Sequence, residues 1–154
     1  MRRTCPAGAA LAVAACLGFP AFDAAASSSG TIQLRGVVPV VCTVSVAETG
    51  ASLNLTQGQT DVAVASVREQ CNAAAGYSVS ITSRNGGQLR TDGGQSGVGY
   101  TLRYGDQSGA GQLLTDRSVS NSERTGTLSV TVPANRDLPA GEYTDIVTIS
   151  VSAK

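Results

Sequence analysis

Along most of this chain apolar residues recur at every second position, in short runs broken by glycine, proline, asparagine or aspartate. Ile32, Leu34, Gly36 and Val38 share one parity, and Thr31, Gln33 and Arg35 share the other, so Thr31 to Val38 (with Val37 the exception) is an extended segment with one apolar edge. Further on, Val40, Cys42, Val44 and Val46 mark a strand over 40–46, and Leu53 and Leu55 a short one over 52–55. Residues 61–71 make another, in which Val62 and Val64 precede Val67. Tyr77, Val79 and Ile81 alternate cleanly with Ser78, Ser80 and Thr82, predicting a half-buried strand. Tyr100, Leu102 and Tyr104 place a strand over 98–104; Leu128, Val130 and Val132 place one over 127–132. Tyr143, Val147, Ile149 and Val151 share a face of a last strand over 143–151.

Between these runs lie turn residues. Asn85-Gly86-Gly87 and Asp92-Gly93-Gly94 favour positive φ, so 83–97 reads as an exposed hairpin or loop. Gly105 to Gly111 is a second glycine-rich turn, 112–114 an edge fragment, and 115–126 a polar loop. No stretch sustains a period of 3.6 and no internal repeat is present. Many short strands at this spacing predict an antiparallel β-sandwich.

The first 26 residues read as an export signal: Arg2 and Arg3, an apolar run from Ala7 to Phe19, then Ala24-Ala25-Ala26 before a mature start near Ser27. That run is too short to span a bilayer. Val13-Ala14-Ala15-Cys16 approximates a lipoprotein-type cleavage site, which makes lipidation at Cys16 the alternative. The organisation expected is therefore a signal at 1–26, an N-terminal arm at 27–39 with Pro39 at its joint, and one domain at 40–154.

Of four cysteines, Cys42 and Cys71 would remain after processing. In an exported chain two cysteines most simply form one disulfide, which would remove about 3.6 kcal/mol of freedom from the unfolded chain; a free reactive pair is the alternative. Eleven basic residues balance eleven acidic ones along the chain, giving no footprint for a nucleic-acid or membrane-surface partner. The absence of histidine removes the usual general base and the commonest zinc ligand, and no metal, cofactor or catalytic residue is expected. Asp106 and Asp116 read as solvated loop acids, and the glycine clusters as turns with no Gly-Lys-Ser/Thr to hold a phosphate. Asn54-Leu55-Thr56 fits a glycosylation sequon but falls in a predicted strand.

Three places in the chain resemble the subunits of chaperone–usher pili. Gly30-Thr-Ile-Gln-Leu-Arg-Gly36-Val-Val ahead of Cys42 is similar to the N-terminal extension that such pilins donate to one another. Cys42 and Cys71, the second followed by Gly76-Tyr-Ser-Val-Ser-Ile81, resemble their disulfide layout. Leu128-Ser-Val-Thr-Val-Pro133 and Leu138-Pro-Ala-Gly-Glu-Tyr-Thr-Asp-Ile-Val-Thr-Ile149 resemble the end of spore-coat-U-type domains of the archaic pilus branch.

The resemblance implies an immunoglobulin-like sandwich lacking its last strand, with a groove filled first by a periplasmic chaperone and then, at an outer-membrane usher, by the next pilin subunit's arm. It implies Thr31, Ile32, Gln33, Leu34, Arg35, Gly36, Val37 and Val38 as the donor strand, with Ile32, Leu34, Gly36 and Val38 facing the groove. Tyr143, Val147, Ile149 and Val151 would line that groove, and the carboxylate of Lys154 would be the chaperone's anchor. The chain departs from the family in ending Val-Ser-Ala-Lys, without an aromatic residue nearby. A surface location follows, with a structural and adhesive or biofilm role and no membrane span. Two other readings remain: that 31–38 is the first strand of a self-contained sandwich, and that the chain is a small secreted adhesin or ligand-binding module using the loops at 84–97 and 105–111.

Overall fold

The computed structural model describes residues 27–94 and 96–154, so the expected export signal and Cys16 lie outside the described residues. The chain divides after Gly36 into a leading unit and a body of Val37–Lys154. In the leading unit, residues 27–36 have no regular secondary structure.

The body is an all-β antiparallel sandwich of eleven strands among the described residues: β1 (Cys42–Glu48), β2 (Gln59–Cys71), β3 (Tyr77–Ser83), β4 (Gln88–Thr91), β5 (Gly97–Gly99), β6 (Thr101–Tyr104), β7 (Gln107–Gly109), β8 (Gln112–Arg117), β9 (Ser120–Val132), β10 (Tyr143–Thr144) and β11 (Val147–Ala153). One sheet runs β1-β2-β9-β6-β7 and another runs β11-β3-β8. A small third sheet, β10-β4-β5, carries the expected hairpin at 83–97. Inward residues of both main sheets make the core: Val67, Leu102, Tyr104, Leu128 and Val130 from one, Tyr77, Val79, Ile81 and Leu113 from the other. These are the alternating positions of the sequence, because a strand buried on one face needs apolar residues only at every second place.

Several expected boundaries move. Residues 52–55 form no strand; Asn54 organises a turn instead, its Oδ1 accepting from the Gln57 N–H at 3.1 Å and the Thr56 hydroxyl at 3.0 Å. Such side-chain bonds offer the backbone a local alternative to a ladder, while Leu53 and Leu55 still pack on the core. The first body strand starts at Cys42, not Val40, and leaves Val40 and Val46 exposed. In β2 the inward parity changes: Val62 and Val64 are half-buried, then Ala65, Val67, Glu69 and Cys71 are buried. The register against β9 shifts between Ala63 and Ala65, and an extra residue there turns every later side chain to the other face.

Residues 98–104 are two strands, not one, with Tyr100 at the corner where the chain passes from the small sheet to the large one. Residues 112–117 are a full strand, and 120–126 are the first half of β9, not a loop. That half is polar and exposed on both faces because it is held by its ladder to β2, with Arg68 and Glu123 3.3 Å apart and Gln70 donating to the Asn121 carbonyl at 2.6 Å.

The last expected strand is also divided. Tyr143 belongs to β10 and pairs with Thr91 of β4, whereas Val147, Ile149 and Val151 belong to β11 and pair with β3. Asp145 makes the break. Its carboxylate accepts from the Ser83 and Tyr100 hydroxyls and from the Asn85 and Ile146 amides, which the strand's own ladder could not satisfy at that point.

Candidate groove between two sheet edges

Strand order leaves the body with one closed side and one open side. On the closed side β7 and β8 are joined by the tight turn at Ala110-Gly111, which links the two main sheets. On the other side β1 ends one sheet and β11 ends the other, and among the described residues each has a neighbour on one flank only. Both are seven residues long. An unpaired strand flank presents a row of free N–H and C=O groups.

Between them lies a cleft of about 270 Å³. Its walls are Val46 and Val64 on one flank and Val147 and Ile149 on the other, and its floor is made by core residues Ala65, Leu102, Leu128 and Val130. Asp145 stands at its margin, with all its acceptor positions taken as described above. Burial would raise the Asp145 carboxyl, but the hydrogen bonds from Ser83, Tyr100 and the two amides outweigh it and hold the pKa below the usual range. The Tyr100 phenol is correspondingly raised, first by burial and then by its bond to Asp145.

Of the residues expected to line an acceptor groove, Val147 and Ile149 line this cleft. Val151 lies further along the same face of β11, half-buried. Tyr143 lines a separate hollow of about 420 Å³ with Leu53, Leu55 and Leu89. Of the expected donor residues, Ile32, Leu34, Val37 and Val38 carry exposed side chains, Leu34 at 91%. Lys154 follows Ala153, the last residue of β11. Its amide donates to the Gly76 carbonyl at 3.1 Å and its ammonium meets Asp116 at 2.9 Å. Lys154 first, and then the Ser78 hydroxyl, keep the Asp116 carboxyl below its ordinary pKa.

Cys42 and Cys71 form the expected disulfide, joining the start of β1 to the end of β2. Beside it sits a cluster the sequence did not reveal. Glu69 is fully buried; its Oε1 accepts from Arg117 Nε at 3.1 Å and from the Tyr77 hydroxyl at 3.4 Å, and its Oε2 from the Tyr104 hydroxyl at 3.1 Å. The Arg117 guanidinium also lies 5.7 Å from the Tyr104 ring centre, and that ring covers Gly126, where a β-carbon would come within 2.6 Å of it. β2 and β6 of one sheet are thereby tied to β3 and β8 of the other. Burial first, then the Glu69 charge, push the Tyr104 phenol up to about 12, and Tyr77 is raised for the same reasons. The sequence signals for this cluster were Tyr77 and Tyr104 on the apolar parities of their strands and Glu69 on the parity of Val67 and Cys71; nothing in the sequence brought the three together with Arg117.

No group of three or more histidine, cysteine or acidic residues is arranged to hold a metal among the described residues, and no helix there is long and apolar enough to cross a membrane. No family model matches the sequence and no curated protein matches it. Among solved structures the chain is similar to the E. coli Hda pilus minor tip subunit, HdaB, at 17% identity and a TM-score of 0.39, over 71% of this chain and 79% of that one.

Proposed function

We propose that this chain is a structural subunit of a surface pilus, assembled by strand donation between copies. The observation that carries the reading is the open side of the sandwich, where Val46 and Glu48 of β1 and Val147 and Ile149 of β11 border a cleft with an apolar floor. One added strand would pair with both flanks and cover the cleft floor, which is the β-augmentation mode of recognition. The occupant is residues 31–38 of a second copy. That segment is one residue longer than either flank, carries Ile32, Leu34 and Val38 on one edge, and forms no strand in its own chain.

Burial of those three side chains supplies on the order of 5 to 8 kcal/mol before ordering costs. The sequence resemblance to chaperone–usher subunits supports the order of events: a periplasmic chaperone occupies the cleft first, and at the outer-membrane usher the arm of the next subunit replaces it. Gly36 marks the place where the arm passes closest to the cleft floor. The reading is tested by adding a peptide of residues 30–38 to the mature chain. Tight uptake with a rise in melting temperature supports strand donation; no binding by a folded, monomeric chain rejects it.

A further inference from the structure

β2 ends at Cys71, opposite Cys42, yet the pairing of its flank with the incoming chain continues. The Asn72 amide donates to the Val41 carbonyl at 3.2 Å. The Asn72 side chain then goes further: Oδ1 accepts from the Val41 N–H at 2.7 Å, and Nδ2 donates to the Pro39 carbonyl at 2.9 Å. A side-chain amide carries the same donor and acceptor as a peptide unit, so Asn72 serves as one more rung. Residues 39–41, which join the arm to β1, are thereby held along the line of β1, one residue from the disulfide.

A donor arm on a flexible joint has a competing destination, the groove beside its own β1. To reach it the chain would turn back at Pro39-Val40 in a tight hairpin, closed by the Val41 N–H donating to the Val38 carbonyl. Two features oppose that turn. The Val41 N–H is already given to Asn72. The turns that suit two-residue hairpins need positive φ at their first central position, and Pro39 is fixed near −65° there.

We propose that Asn72, acting with Pro39, is a positioning residue that keeps the arm out of its own groove and so reserves it for a second copy. This inference rests on the strand-donation reading. Loss of the Asn72 side chain frees the Val41 N–H and the Pro39 carbonyl, and the joint then admits longer, looser turns that bring the arm home. The result is a self-closed monomer that neither donates nor accepts.

The test uses the mature chain below its assembly concentration, alone and with labelled peptide of residues 30–38. In the wild type the amides of residues 31–38 exchange hydrogen freely and the peptide is captured. In Asn72→Ala those amides become protected and capture slows roughly tenfold, the factor that two lost hydrogen bonds of modest net worth supply. Asn72→Asp keeps the acceptor for Val41 and loses only the donor to Pro39, so it shows a smaller shift in the same direction; it carries the test if Asn72→Ala does not fold. With Ile32→Asp and Leu34→Asp already in the arm, which then cannot seat in any groove, Asn72→Ala leaves capture unchanged. Equal protection and capture in wild type and Asn72→Ala overturn the role of Asn72 and leave strand donation standing. Slowing in both arm backgrounds places the effect on the groove and also overturns it. Failure of the wild type to capture peptide overturns strand donation, and this inference with it.

Discussion

Replacing Leu34 by alanine separates the free arm from the donated one. In the single chain Leu34 is 91% exposed, so truncating it removes almost no buried surface and leaves the melting temperature of the monomer unchanged. In a filled groove the same side chain is buried. Losing three carbons' worth of apolar surface then costs about 2 to 3 kcal/mol, at roughly 0.8 kcal/mol for each buried methylene. That corresponds to roughly 30- to 150-fold faster exit of the arm. Gln33, on the opposite parity, would face away from a filled groove, and Gln33→Ala is expected to change the exit rate by less than about threefold, within the range expected of a surface substitution. The assay is dissociation of labelled peptides of residues 30–38, each carrying one substitution, from the mature chain, with thermal melts of the matching full-length variants. Equal effects at 33 and 34 would refute the alternating fit, and a melting loss in the Leu34→Ala monomer would show that the side chain already has a place in its own chain.

Three further outcomes are expected. Gly36→Leu leaves the monomer's melting temperature unchanged, since among the described residues no atom lies within 4 Å of an added β-carbon in the single chain, but it blocks polymers in a heat-and-detergent ladder assay. Glu69→Ala strands the Arg117 guanidinium beside two tyrosine hydroxyls and lowers unfolding free energy in urea by about 3 kcal/mol, the lower end for a broken buried pair because Arg117 keeps some exposure. Alkaline titration followed by tyrosinate absorbance shows Tyr104 ionising near pH 12. Its folded pKa is raised above the unfolded value, so its contribution to stability is complete below about pH 10 and is lost as pH climbs through about 12.

Where a strand buries one face, its residues announced it. Tyr77, Val79 and Ile81 alternate in the sequence and are buried in the core, as are Leu128, Val130 and Val132. Alternation is silent where backbone pairing and polar side-chain contacts hold a strand without a buried face, which is why the first half of β9 read as loop although Ser120 and residues 124–126 pair with β2. It also misleads across a bulge. The shift between Ala63 and Ala65 exchanges the faces of β2, so Glu69 joins Val67 in the interior while Val64 moves to the cleft wall. The polar contacts that divide a strand are no more visible: Asp145 breaks the final strand through bonds to Ser83, Asn85 and Tyr100, each about 45 residues or more away in sequence. The lining of the cleft was legible only in part for this reason. Val147 and Ile149 lie where the alternation put them, whereas Tyr143, on the same parity, lies in another sheet.

The most direct test is a chain beginning at Val40, melted with and without a synthetic peptide of residues 30–38. Strand donation predicts a weakly stable body that takes up the peptide, melts higher with it, and gains protection from hydrogen exchange along both β1 and β11. A body that melts as high as the complete mature chain, stays monomeric and ignores the peptide would contradict it.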